Sequence, residues 1–438
     1  MKHTLWLTAS AVITGSAIYL FDTSLKKPEI KATAEKTHNA CVMRTIFNEP
    51  QKNVDLKAYM EDFRKGKIDS SINTGKQWLL SAQASNGGWG AGSHAHQDIT
   101  DPSKVQLDPA STAMALMALL RLGERTEGTA NSNAITKALN YLLNSVEQAP
   151  DNALNITTLT GTQPQVKLGQ NIDVILTSQC LTNIMHQLND NNPMYGRIKN
   201  AIQKCVGKIQ KAQDTNGATK GGGWAPVLQS AFAVNALELA DANDIRVDSV
   251  KLAEARNYQK KNFTAGTTST ADAAGVLLYS VSGNARATAK ETRKVKEVLK
   301  KAKSEGKIAD DKAVTSQNLQ AAGLSVNESE ELVTTYKMNN YANVQAQDKN
   351  VLTGFGNNGG EEFVSFLLTG ESLIIGGQDD WIKWYENTST ILSNIQNNNG
   401  SWQGHHCITS PVFCTATCLL ILGIDKDLAQ YEKISIKK

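Results

Sequence analysis

Hydrophobic positions along the chain recur at helical spacing, in paired blocks, from about residue 70 to residue 424. In each pair the first block is amphipathic. The second is almost continuously apolar and rich in Ala and Leu, the pattern of a helix buried on every side. Three pairs share one join. Segments 78–89, 209–224 and 391–402 each run from an apolar-periodic stretch through Gln83, Gln213 or Gln396 and a polar Asn/Gly turn to Trp89, Trp224 or Trp402. The glycine supplies the positive φ of a tight helix exit. The glutamine has backbone groups at the helix end to bond, and the tryptophan covers the turn. The apolar helices 111–122, 229–240 and 411–422 follow. Weaker copies pair 134–146 with 173–188, 250–263 with 270–281, and 328–345 with 361–373. The spacing predicts about six helical hairpins, with second helices opening near residues 110, 173, 230, 272, 362 and 411. The second, small-residue helices read as an inner layer and the first as an outer one.

Two stretches depart from this pattern. Residues 286–322 carry Lys290, Arg293, Lys294, Lys296, Lys300, Lys301, Lys303 and Lys307 around a weak stripe of Val295, Val298, Leu299 and Ala302. They read as an inserted, solvated helix. The start of the chain reads as targeting rather than fold: Met1-Lys2-His3 precedes an uncharged run over 5–21. Ala32-Thr33-Ala34 lies too late to be its cleavage site, so cleaved signal and retained anchor stay open. The expected organisation is 1–22 signal peptide or membrane anchor, 23–69 linker, 70–424 repeat domain with the 286–322 insertion, and 425–438 tail. The protein is expected to be exported, to the periplasm or cell envelope, with residues 5–21 as the candidate membrane attachment.

Composition changes the picture little. Apolar residues at 40% and charged residues at 20% fit a globular chain with a core. A formal net charge of +3 is too small to argue for nucleic acid as a partner. Six cysteines in an exported chain of this size leave pairing optional.

The Gln396 to Trp402 segment resembles the QW motif of squalene-hopene cyclase repeats, and Asn86-Gly87-Gly88-Trp89 is similar to the equivalent element of the wider prenyltransferase/squalene-oxidase group. The resemblance covers roughly residues 70–424 and implies an all-α fold, an (α/α)6 toroid. The same families carry catalytic signatures that this chain lacks. There is no Asp-x-Asp-Asp proton donor, no Asp-x-Cys zinc pair and no Cys-Gly-Glu-Gln thioester. Aromatic residues are only 6%, and the inner helices offer mainly Phe232, Tyr279, Phe363, Phe366 and Phe413 to steady a carbocation. The expectation is therefore a ligand-binding cell-envelope repeat protein without terpene cyclase activity, its ligand a small molecule, lipid or glycan. The alternative is a toroid enzyme acting on a polysaccharide or an isoprenoid lipid.

Two constellations could carry chemistry. His94 and His96 follow Trp89, and His405, His406 and Cys407 follow Trp402, so a closed ring would bring these equivalent loops to one seam. Imidazole and thiolate are zinc ligands, against the plainer reading of exposed loop residues or a Cys407–Cys414 pair. Asp108, Asp173, Asp272, Glu361 and Glu362 sit near inner-helix starts and would open on one mouth of the ring as candidate acid/base groups. Their plainer role is capping helix N-termini. Cys414 and Cys418, one turn apart, read as small buried hydrophobes.

Overall fold

The structure, a computed structural model, describes residues 56–188, 191–263, 271–353, 358–377 and 381–436. The signal or anchor expected at 1–22 and most of the 23–69 linker lie outside the described residues, as does Cys41. No helix among the described residues is long and apolar enough to cross a membrane.

The helices are α1 Leu56–Arg64, α2 Lys67–Ser81, α3 Pro109–Arg121, α4 Ser132–Gln148, α5 Gln163–Lys167, α6 Ile172–Gln187, α7 Tyr195–Lys211, α8 Pro226–Ala242 and α9 Ser249–Lys261. They continue as α10 Leu277–Ser304, α11 Ser316–Ala321, α12 Val326–Gln345, α13 Lys349–Leu352, α14 Gly360–Ile375, α15 Trp381–Asn394, α16 Pro411–Leu422 and α17 Leu428–Ile436. Six of them form an inner ring, packed in the order α3, α6, α8, α10, α14, α16 and back to α3. Outside it stand α2, α4, α7, α9, α12 and α15, each against the inner helices. This is the (α/α)6 toroid. The inner helices start within a few residues of their expected positions, except that α10 opens at Leu277, after a short turn containing Asp272.

Residue type decides the layer. Every residue of α3, α14 and α16 is buried, and each mixes large apolar residues with small ones (Ala, Ser and Thr in α3, Gly, Ser and Thr in α14, Ala, Thr and Cys in α16) that let backbones approach. The outer helix α7 buries one apolar stripe, Ile198, Ala201, Ile202, Cys205, Val206 and Ile209, spaced three and four apart, with Lys208 and Gln210 covered at its edge.

The joins repeat atom for atom. Trp89 and Trp402 are fully buried; each indole Nε1 donates at 2.8 Å to the carbonyl ten residues earlier, Leu79 and Leu392. Each backbone N–H donates at 2.9 Å to a threonine of the following inner helix, Thr112 and Thr415. Gly87, Gly217 and Gly400 have φ of 93°, 90° and 91°, and each lies against the backbone of the next outer helix, at Lys137, Glu254 and Thr74. The last of these closes the ring, because Thr74 belongs to α2. Gln396 Nε2 also donates to Ser71 of α2 at 2.9 Å, as Gln83 Nε2 does to Ala134 of α4.

Three expectations need correction. Trp224 does not cover its turn: the residues inserted after Gly217 carry it outward, where it is 61% exposed with Lys167 Nζ 3.8 Å from its ring centre. The 286–322 segment is not a separate solvated insertion. Its first part is the continuation of inner helix α10, with Arg286 and Arg293 almost fully buried. Glu238 and Glu371 hold Arg286 at 2.7 and 3.4 Å. The 425–438 segment, expected as a tail after the repeat domain, packs over 425–436 as part of it. Its helix α17 packs on α8, α10 and α14 across the end of the ring where the inner helices finish. Tyr431 there accepts from Arg121 Nη2 at 2.6 Å and donates to Glu371 at 3.1 Å.

Candidate functional site

The inner helices run parallel, so the ring has an N-terminal and a C-terminal mouth. The C-terminal mouth is closed by α17 over a cavity of only about 10 Å3, lined by Arg121, Asn235, Arg286, Glu371 and Tyr431 among others, room for about one water. The N-terminal mouth gathers the candidate residues: Asp108, Asp173, Glu361, Glu362, His94, His406 and Cys407.

Asp108 is the N-cap of α3. Its Oδ1 accepts from Ser111 N–H at 2.7 Å and its Oδ2 from Ala91 N–H at 2.8 Å. Asp173 does not cap its own helix. It reaches across to α3 and accepts from Ala110 N–H at 3.1 Å, while Gln165 Nε2 donates to it at 2.8 Å. Both aspartates are sealed from solvent. Burial pushes Asp108 up to about 6, and burial together with the Asp108 charge pushes Asp173 up to about 7. Both carboxylates are occupied and buried: Asp108 caps α3 and holds the loop after Trp89 through Ala91, and Asp173 ties α6 to the first turn of α3. Asp272 stands apart, in the turn before α10, and accepts from Tyr258 Oη at 2.8 Å.

Glu361 and Glu362 open α14. Glu362 is fully buried; Gly359 N–H donates to its Oε2 at 2.7 Å, which caps the helix, and Tyr279 Oη donates to its Oε1 at 2.5 Å. Burial and the neighbouring Glu361 push Glu362 up to about 7. Burial and both glutamates raise Tyr279. Glu361 faces the loop between Trp402 and α16. Its Oε2 accepts from Ile408 N–H at 3.2 Å, and its Oε1 is 3.5 Å from His406 Nδ1. His406 Nε2 lies 3.8 Å from Glu362. Cys407 follows, with a left-handed φ of 58°, a conformation that non-glycine residues adopt at a cost. Burial and Glu361 push its thiol up to about 12.

The seam expected between the two histidine loops is thus partly formed. Glu361, His406 and Cys407 each place one ligand atom within 4.8 Å of the others. His94 stands beside this group: burial and the Lys167 charge lower its pKa, while Glu361 and the Cys407 carbonyl raise it. His96 and His405 are exposed and stand outside the three-residue group. The five described cysteines, Cys180, Cys205, Cys407, Cys414 and Cys418, are all free thiols, so the Cys407–Cys414 pair does not form.

Sequence reading missed Lys167 and Gln163, and marked Tyr279 only as an inner-helix aromatic, not as the partner of Glu362. Lys167 is buried beside Cys407 and under Trp224. Gln163 Oε1 accepts from Thr409 and Ser410 N–H at 2.8 and 3.0 Å and ties α5 to the start of α16. Helix α5 has no hydrophobic period to reveal it. The signal is its capping box, Thr162 with Gln165, ahead of a proline at the first turn.

Residues 53–167 match the family model of the squalene-hopene cyclase C-terminal domain. No curated protein matches the chain. The matched segment ends with α5. Beyond it the same repeat is carried by geometry, since the contacts of Trp402 reproduce those of Trp89. The resemblance to this repeat family therefore holds for a structural unit, and fold does not fix activity.

Proposed function

We propose that this protein is a squalene-cyclase-like toroid of the cell envelope that binds its ligand over the N-terminal mouth and does not cyclise polyenes. One observation supports this most. On the inner helices α3, α14 and α16 the side chains of Ala113, Met114, Ala115, Leu116, Val364, Leu368, Ala416 and Leu419 are completely buried, so none of these eight borders a space that holds water. A polyene cyclase encloses its substrate in a dry cavity, and these packed side chains offer no wall for one. Solvent-reaching groups of mixed chemistry stand at the N-terminal mouth: the exposed face of Trp224 and the half-buried His94, His406 and Cys407. An exposed indole beside charged groups suits a polar or glycan-like ligand better than a bare isoprenoid chain.

Purified protein incubated with squalene and with linear isoprenoid diphosphates should return them unchanged. A cyclised product whose yield scales with protein would overturn the reading. The location rests on the 5–21 segment. Cell fractionation should recover the chain in the envelope or outside the cell, and full-length protein confined to the cytosol would refute export.

A further inference from the structure

We propose that Glu361, His406 and Cys407 form a zinc site with one open position at the N-terminal mouth. The three residues come from two elements, the first turn of α14 and the loop that leads into α16, and both are fixed by the ring. Their ligand atoms lie within 4.8 Å of one another, and Glu361 Oε1 to His406 Nδ1 is 3.5 Å. Zinc bonds of roughly 2.0–2.3 Å in a tetrahedron put ligand atoms roughly 3–4 Å apart, so small side-chain movements suffice.

The chemistry of the donors points to the metal. A carboxylate, an imidazole and a thiolate are borderline to soft, which favours zinc over calcium or magnesium. Together the carboxylate and thiolate would neutralise the dication.

Beyond the three ligands, the arrangement resembles the outer shell of a metal centre. His406 has one nitrogen toward Glu361 and the other 3.8 Å from Glu362. Glu362 is itself held by Tyr279 Oη and Gly359 N–H. At 3.8 Å Glu362 is beyond hydrogen-bond reach of the ring; a small rotation of His406 on metal binding would bring its Nε2–H to that carboxylate and fix the tautomer for a metal on the far side. Glu361 is likewise fixed by Ile408 N–H. His406 and Cys407 are partly exposed while Glu361 is buried, so the fourth position would face the mouth. There a bound water or a ligand atom could complete the tetrahedron, the arrangement of catalytic rather than structural zinc. The site stands on these side chains alone and does not depend on which ligand the mouth binds.

The test is metal binding to the full chain, kept reduced and purified without chelator. Wild type should take up one zinc per chain at micromolar free metal. With cobalt in its place it should show the near-ultraviolet charge-transfer band of a thiolate bond. Cys407→Ser and His406→Ala should each weaken binding by at least about 100-fold, and Glu362→Gln by the 10–100-fold typical of an outer-shell partner. His405→Ala, in the exposed neighbour, should leave it unchanged. Wild-type protein that stays metal-free at micromolar zinc, or cobalt binding without the thiolate band, would overturn the site even if the variants fail to fold. So would a His405→Ala loss equal to that of His406→Ala. None of these readouts depends on turnover or on the cyclisation assay, so the two proposals can fail separately.

Discussion

Trp402→Ala is expected to destabilise the protein by about 3–5 kcal/mol, the range for a large aromatic truncated in a core. The indole is fully buried and its Nε1 donates to Leu392 at 2.8 Å. Its ring closes the toroid: a methyl group placed on Gly75 of α2 would come within 2.7 Å of the indole Cζ3. The truncation would open a void between the last hairpin and the first, and would leave the Leu392 carbonyl with only the longer bond from Ile395 N–H at 3.3 Å. Against a typical total of about 5–15 kcal/mol, a denaturant titration would show the loss plainly. Trp224→Ala is the control, because that third copy is exposed, and it should change stability by less than about 1 kcal/mol. Equal small losses at both positions would mean that Trp402 does not seal the ring.

Glu238→Gln should be comparably costly for an electrostatic reason. Glu238 is completely buried on α8. Arg256 donates to its Oε1 from Nε at 2.8 Å, and Arg286 to its Oε2 at 2.7 Å. Burial on its own would raise the pKa of Glu238; the two guanidinium groups override that and hold the carboxyl below its usual value. Glutamine keeps the volume and removes the charge. Arg286 then retains only Glu371, 3.4 Å away, and Arg256 loses the carboxylate it contacts. Removing one partner from a buried ion pair costs about 3–5 kcal/mol. The depressed pKa also sets a pH dependence. Stability from Glu238 is fully present above the unfolded glutamate value of about 4.3 and is lost as pH falls through the lower folded value. Wild type should therefore weaken in acid more steeply than Glu238→Gln. Unfolding curves at neutral and acid pH would decide it: a variant within about 0.5 kcal/mol of wild type at neutral pH would show that the network contributes nothing net.

These two residues also show what a sequence can and cannot disclose. Trp402 was legible, because a helix exit needs the same glycine and the same apolar cover each time it occurs. Local geometry imposes that requirement, so it is written locally, in Gly87 with Trp89 and in Gly400 with Trp402. The layer of each helix was legible for a related reason. An inner helix touches neighbours all round and can carry almost no exposed polar residue, so α3 and α16 announce themselves in composition alone. Closure followed once the count of hairpins and the repeat resemblance were combined.

Glu238 was not legible, nor was the burial of Arg286, which lies 48 residues further on. Read along the chain, Arg286 begins a basic, solvated stretch. Only the ring brings it to Glu238 and Glu371, and a charge can be buried only where its partners already stand. The same holds at the N-terminal mouth. The sequence marked the loops after Trp89 and Trp402, because histidine and cysteine are conspicuous there. It could not choose between His405 and His406, adjacent residues of one type, since the choice depends on which ring faces α14. Nor could it separate Glu361, which meets that loop, from Asp108, which caps α3 and holds the loop after Trp89, or from Asp173, which ties α6 to α3. Helix propensity, capping and turn chemistry act over a few residues and are fixed by the chain itself. Which side chains meet across the ring depends on how six hairpins close and on how completely their inner faces fill the centre, and that was decided only by the tertiary packing.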